Sequence, residues 1–175
     1  SSPNREKNIT LAEGVLNSDG KLIISMVSRL NDFQSFEDFL DQRGPWFCGM
    51  NFPFGLPLRF LNSMSLPISW PGYVGTIAQW GKSDFVKKIT AYKETQGKGN
   101  KEQLRITDAL AHAQSPLKLI NSPTAKMFYE GATRLLDSGV SIIPCHPTDN
   151  ERSVIEAYPA LIARRFAEGY KNDDN

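Results

Sequence analysis

The chain has 175 residues, of which 40% are hydrophobic and 22% charged, and its formal net charge is +1 at pH 7. This size and composition are typical of one soluble globular domain with a sizeable core. The near-zero net charge excludes a global field that attracts nucleic acid, so such binding would need a local basic patch. No apolar run reaches the about 20 residues of a membrane span, which predicts no membrane partner.

The N-terminal part predicts a hairpin, a short helix and a strand. Two β-rich runs, residues 9–16 and 22–30, flank Asp19-Gly20, a dipeptide typical of a type I′ hairpin turn. A capping box at Ser35 predicts the start of the helix, and residues 46–50 form the next predicted strand. Hairpin, helix and strand in this order indicate a mixed sheet with helices packed on it.

The rest of the chain predicts several helices and two more strands. The predicted helices cover residues 58–64, 102–112, 123–137 and 160–168, and a further helix begins after Ser83. Residues 67–72 are predicted to form a turn, and the basic loop 97–101 is interpreted as a solvated connector. The last two strands are predicted at residues 140–143 and 153–157.

Two polar residues, Asn51 and Glu156, lie at the ends of predicted strands, each shortly before an aromatic–proline break. Open α/β sheets place their chemistry at the carboxyl ends of strands. Pro53 and Pro57 restrict φ in the segment after Asn51, which predicts a rigid turn. Asn51 is an amide where a metal-binding or catalytic site would more usefully have a carboxylate. The two strand ends together predict one paired site.

Two charged clusters have both a structural and a functional interpretation. Lys126, Glu130 and Arg134 follow i, i+4, i+8 spacing, so they share one helix face. This pattern is typical of a surface ion-pair ladder, or it indicates that Glu130 binds a metal or water while the two basic residues bind phosphate. Arg105 and Asp108 lie on one helical turn, which is typical of a local salt bridge.

The cysteines and histidines carry weaker signals. Cys48 and Cys145 lie in apolar surroundings without CxxC spacing, which predicts reduced thiols in a cytoplasmic protein. A nucleophilic pair of Cys145 with His112 stays open, although nothing in the sequence indicates a lowered thiol pKa. His112 and His146 lack zinc-site spacing, and nucleotide-binding and serine-hydrolase motifs are absent.

Five motifs occur in order along the chain, at residues 51–57, 105–108, 114–119, 126–131 and 156–159. With residues 1–5 and 170–173, they make nearly the whole chain resemble a predicted nuclease family, catalogued as a domain of unknown function (family 429). The resemblance implies an α/β, ribonuclease H-like fold: one five-stranded mixed sheet, its first three strands antiparallel, with helices on its faces. It makes residues 1–175 one domain, incomplete at both ends, whose first strand is missing.

The resemblance also implies a divalent-metal-dependent nuclease that uses Mg²⁺ or Mn²⁺ to activate water during phosphodiester hydrolysis. The catalytic residues it implies are Glu156, Asp108, Glu130 and Asn51. The metal ligands it implies are Glu156, Asn51 and Asp173. The substrate-binding residues it implies are Arg105, Lys118, Lys126 and Arg134.

Two departures from the family pattern leave alternatives open. Asn51 stands where the family has aspartate, and the acid of the first strand is missing with that strand. One alternative is a catalytically degenerate binding or regulatory domain on the same fold. Another is a hydrolase of a small phosphorylated metabolite, so the expected partner is either nucleic acid or a phosphorylated small molecule. The sequence does not indicate an oligomeric state.

Overall fold

The computed structural model of the chain describes residues 3–166. The chain divides into two compact units, residues 1–43 and residues 44–175. No helix within the described part combines the length and hydropathy that a membrane span requires.

The first unit contains the predicted hairpin. Strands β1 (Ile9–Leu16) and β2 (Leu22–Leu30) pair antiparallel, with a register shift between Glu13 and Gly14. Gly20 has a φ of 73° in the turn, a conformation that glycine adopts without steric cost. The prediction of the hairpin and of both strand ranges is confirmed.

Helix α1 (Phe33–Leu40) follows the hairpin, but the predicted cap at Ser35 is wrong. Asp32 caps the helix, because its carboxylate accepts hydrogen bonds from the backbone N–H and the hydroxyl of Ser35, both at 2.7 Å. These two bonds lower the pKa of Asp32 below its ordinary value. Ser35 therefore lies in the first turn, as the residue that the cap binds.

The second unit contains a three-stranded parallel sheet. Its strands are β3 (Trp46–Met50), β4 (Ser141–Ile143) and β5 (Arg152–Glu156), and β5 lies between the other two. Their register places Met50 opposite Glu156. The carboxyl ends of β3 and β5 therefore lie side by side, as the sequence predicts for Asn51 and Glu156.

The predicted five-stranded mixed sheet with three antiparallel strands is wrong. Within the described residues, β1 and β2 pair with each other, and β3 pairs in parallel with β5. Strand β3 joins β5 and β4 because Met50, Val154 and Ile142 are buried on one common face of this sheet. A turn signal fixes a hairpin locally, whereas the neighbour of β3 lies about 100 residues further along the chain.

Five helices belong to the described part of the second unit. They are α2 (Leu58–Ser63), α3 (Trp70–Glu94), α4 (Ile106–Ala111), α5 (Thr124–Ser138) and α6 (Ala160–Ala163). The predicted turn at 67–72 is wrong in its second half, where α3 begins. This long helix is interrupted at Gly81, whose φ of 76° breaks the helical path. The predicted helix 102–112 is shorter, since residues 102–105 are not helical.

The core of the second unit is rich in phenylalanine. Helices α3 and α5 pack against each other, and the ring centroids of Phe85 and Phe128 lie 5.9 Å apart. Phe60 of α2 packs edge-on against Phe85, with 6.5 Å between centroids. Phe54, from the turn after β3, is also almost fully buried. This core fixes the position of the segment that follows Asn51.

Candidate functional site

The turn after β3, residues 51–57, is bound to three other elements. Phe52 packs so closely on α5 that a Cβ atom on Gly131 would lie 2.2 Å from its ring. The backbone carbonyl of Phe54 accepts a hydrogen bond from Trp70 Nε1 at 2.6 Å. The backbone N–H of Phe54 donates to Glu156 Oε2 at 2.8 Å. The rigidity predicted from the two prolines therefore comes equally from tertiary contacts.

Arg105 joins two of the predicted acids in one hydrogen-bonded cluster, the Arg105 network. Its Nε and Nη2 donate to the two oxygens of Asp108, at 2.8 and 2.6 Å. Its Nη1 and Nη2 donate to the two oxygens of Glu156, at 2.8 and 2.5 Å. The backbone N–H of Arg105 also donates to Asp108, which closes a capping box at the start of α4. One guanidinium and two carboxylates leave the network with a formal charge of −1.

The network lies largely inside the protein. The side chains of Arg105 and Asp108 are 15% and 4% exposed, whereas that of Glu156 is 34% exposed. Burial disfavours the charge of Arg105, but the hydrogen bonds and charges of Asp108 and Glu156 outweigh it and raise the pKa of the guanidinium. Two-point contacts between a guanidinium and a carboxylate are strong and geometrically specific. The network therefore fixes the end of β5 to the start of α4.

Hydrogen bonds within the chain occupy most of the acceptor capacity of Glu156 and Asp108. A carboxylate has about four acceptor positions, and Glu156 uses three of them on Arg105 and on the Phe54 N–H. Asp108 likewise accepts three hydrogen bonds and is almost fully buried. Asn51 is exposed, and it directly follows Met50, the residue that pairs with Glu156. Within residues 3–166, no three His, Cys, Asp or Glu side chains are grouped closely enough to bind a metal, and Asp173 lies outside this range.

Glu130 lies in a separate ion-pair cluster. It accepts from Arg134 Nη1 at 2.7 Å and from Lys82 Nζ of α3 at 2.5 Å. Burial works against ionisation of Glu130, but the hydrogen bonds and charges of Lys82 and Arg134 outweigh it and lower its pKa. Lys126 forms no ion pair with Glu130 in the described part of the chain. The ion-pair interpretation therefore accounts for Glu130 and Arg134, with Lys82 as the partner that sequence spacing missed.

The predicted substrate-binding residues have separate partners. Arg105 binds Asp108 and Glu156, and Lys118 Nζ donates to Gln114 Oε1 at 2.7 Å. Arg134 binds Glu130, as described above. The role of these residues and of Lys126 in binding a substrate stays a prediction.

Sequence reasoning missed Tyr73, which lies beside the Arg105 network. Its hydroxyl is 3.4 Å from the position that a Cβ of Gly55 would occupy. Burial chiefly raises the pKa of Tyr73; Cys145 and Glu156 raise it further, and Arg105 opposes them. The first turn of α3 carries this residue. The sequence analysis assigned no element to Tyr73, which directly follows the predicted turn at 67–72.

Cys145 follows β4 and lies within electrostatic range of the network. Desolvation raises the pKa of its thiol above 9.0, and the charge of Glu156 adds to this while Arg105 opposes it. His112 is exposed at the end of α4, in a left-handed backbone conformation. A thiol with a raised pKa is a poor nucleophile at neutral pH. The environment of Cys145 therefore disfavours the nucleophilic pair left open by the sequence.

A groove of about 800 Å³, the Arg105 groove, opens beside the network. Two segments line it: residues 56–59, at the end of the turn and the start of α2, and residues 99–100 and 102–107, before and within α4. Arg105 thus contributes to both the network and the groove. The groove therefore adjoins the strand-end acid Glu156 through Arg105.

Comparison of the chain with protein families, with curated proteins and with solved structures found no match. The nuclease-family resemblance stays a prediction that depends on the five sequence motifs. The contacts among the described residues favour a rigid network of acids around Arg105, beside an open groove.

Proposed function

We propose that the second unit is a non-catalytic ligand-binding domain, in which Glu156 and Asp108 bind Arg105 instead of a divalent metal. The observation that carries the proposal is the pair of hydrogen bonds from Arg105 to both oxygens of Glu156. Among the sequence-based alternatives, this proposal corresponds to the catalytically degenerate binding domain. It does not include the five-stranded sheet that the resemblance implied. A carboxylate with both oxygens bound to a guanidinium has little capacity left to bind a metal.

The Arg105 groove is the proposed place of binding. Binding sites in open parallel sheets lie outside the carboxyl ends of the strands, and this groove adjoins that edge through Arg105. A phosphorylated small molecule or nucleic acid is the less supported ligand, because the charge of Arg105 is already balanced by two carboxylates. We also propose a reducing compartment, such as the cytoplasm, because Cys48 and Cys145 are both free thiols.

The experiment is calorimetric titration of the full chain with MnCl₂ and MgCl₂, together with incubation with Mn²⁺ and single- and double-stranded DNA and RNA. The proposal expects no metal binding tighter than millimolar and no cleavage. Micromolar Mn²⁺ binding that is lost in Glu156→Gln but kept in Asp84→Asn would contradict it. Asp84 is a suitable control because its side chain is 56% exposed and pairs with Lys87, away from the network. Metal-dependent cleavage that is lost in Glu156→Gln but kept in Asp84→Asn would restore the nuclease hypothesis.

A further inference from the structure

We infer that the Arg105 groove binds a polypeptide segment that carries acidic side chains beside large aliphatic ones. The inference rests on the proposed function and specifies the class of ligand. It depends on the lining of the groove, on the charges at its rim and on its openness.

The groove exposes an unusual amount of aliphatic surface. Leu58, Leu104 and Ile106 all line it, and they are 58%, 47% and 81% exposed. Single exposed apolar residues are ordinary, but several in one concave region are typical of an interaction site. Aliphatic side chains of a partner would remove this surface from water, which is the main favourable contribution to association.

The charges at the rim favour an anionic partner. Arg59 lines the groove, is exposed and has no ion pair with a carboxylate among residues 3–166. Lys98 and Lys101 are exposed on either side of the lining residues Gly99 and Asn100. The acid in the lining, Glu102, pairs with Lys93 at 2.5 Å. The three basic side chains at the rim exceed the formal charge of −1 on the Arg105 network, and they complement acidic side chains.

The openness of the groove favours a polypeptide over a small molecule. Small-ligand sites bury most of the ligand surface, whereas the lining residue Ile106 here stays largely exposed. Non-specific binding of single-stranded nucleic acid relies on aromatic side chains that stack on bases, and none of the twelve lining residues is aromatic. Asn100 and Thr107 provide polar side chains that can hydrogen-bond a peptide backbone.

The floor of the groove is already rigid. Tyr92 Oη donates to Gln103 Oε1 at 2.8 Å, and Ser115 Oγ donates to the Gln103 carbonyl at 2.6 Å. The Arg105 network fixes the next part of the lining. A preformed surface loses little conformational freedom on binding, which favours affinity for an extended segment.

The test uses a displayed library of random twelve-residue peptides, selected on the full chain and counter-selected on the Arg59→Glu/Ile106→Ser variant. Enriched peptides are synthesised with a fluorophore, and their binding is measured by anisotropy. We expect sequences rich in Asp or Glu with Leu, Ile or Val. Ile106→Ser should weaken binding about tenfold, and Arg59→Glu should weaken it several-fold and reduce its salt dependence.

Two matched controls make the result specific to the groove. Ile120→Ser changes another isoleucine that is 72% exposed, and Lys87→Glu reverses a charge whose side chain is 74% exposed; neither residue lines the groove. Both should bind the selected peptides as the natural chain does.

Failure to enrich any peptide, enrichment of basic peptides, or equal losses in the controls would overturn the inference. Ile106-dependent binding of a labelled twelve-nucleotide DNA strand or of dodecanoate, in place of peptide, would overturn it too. None of these results affects the proposed absence of a metal site, which the Mn²⁺ titration tests separately.

Discussion

Arg105 and Glu156 are 51 residues apart in the sequence, yet both oxygens of Glu156 accept hydrogen bonds from the guanidinium of Arg105. The same guanidinium binds Asp108, so one cation connects the end of β5 to the start of α4. Two acids that sequence motifs assign to catalysis are therefore already paired with a basic residue of the same chain. This pairing is the reason that we propose ligand binding rather than metal chemistry.

Arg105 should contribute strongly to stability. Replacement by leucine leaves two carboxylates close together without their cation, one of them almost fully buried. Loss of one partner from a buried ion pair typically costs about 3–5 kcal/mol, and the partial exposure of Glu156 reduces our expectation to roughly 2–4 kcal/mol. Urea unfolding measures this change. Arg59→Leu, at an exposed arginine, should stay within about 0.5 kcal/mol of the natural chain, and an equally small effect at Arg105 would contradict the network.

Gly131 should tolerate no side chain. A Cβ there would lie 2.2 Å from the ring of Phe52, so Gly131→Ala forces the turn after β3 away from α5. We expect a loss of about 1–3 kcal/mol in the free energy of unfolding. Gly75→Ala is the matched control in α3, because its nearest neighbour, Leu136 Cδ2, is 3.8 Å away. That change should be neutral or stabilise the helix by up to about 1 kcal/mol.

Glu130 should stabilise the fold only when it is ionised. Its pKa in the folded protein lies below the ordinary value of 4.5, because Lys82 and Arg134 outweigh the effect of burial. A lowered folded-state pKa gives stability that is present above pH 4.5 and is lost as the pH falls through the folded value. Glu130→Gln should therefore cost roughly 1 kcal/mol at pH 7, and less below pH 4.5. A difference that is independent of pH in urea unfolding would argue against the ion pairs.

Cys145 should react slowly with alkylating reagents despite its exposed position. Desolvation and the charge of Glu156 raise the pKa of its thiol above 9.0, so little thiolate is present at neutral pH. Iodoacetamide kinetics in a Cys48→Ser background measure this pKa at a single thiol. Glu156→Gln should lower the pKa and accelerate alkylation at pH 8. If the alkylation rate of the chain with Glu156 instead reached half of its maximum below pH 8, this would indicate an activated nucleophile.

Local signals predicted the elements well. Asp19-Gly20 and the flanking β-rich runs gave both hairpin strands, and Gly139 ends α5 in the left-handed conformation that favours glycine. The cap of α1 was placed three residues late because Asp32 and Ser35 are both good caps, and sequence alone does not say which side chain receives the hydrogen bond. An error of this kind shifts the predicted start of a helix, but the helix itself is still predicted.

Long-range pairing was harder to predict. The sequence identified Glu156 and Asn51 as neighbours at strand ends, and the register of β3 with β5 agrees. It did not indicate that Arg105 would bind Glu156, since a basic residue before a helix carries no information about its distant partner. Arg105 and Asp108 were recognised as a local salt bridge, which is half of the network. The five-stranded sheet was implied by the family resemblance, and among the described residues the pairing of β3 with β5 and of β1 with β2 alone contradicts it.

The most direct test of the central claim is a titration of the ¹⁵N-labelled full chain with Mn²⁺, followed by NMR. The Phe54 amide donates to Glu156 Oε2 at 2.8 Å, so a paramagnetic ion bound by Glu156 would broaden this signal strongly. If Arg105 occupies the carboxylate, the Phe54 amide and the Arg105 Nε–H should keep their intensity at 100 μM Mn²⁺, apart from uniform losses. Selective broadening of these two signals that saturates at micromolar Mn²⁺ would contradict the account.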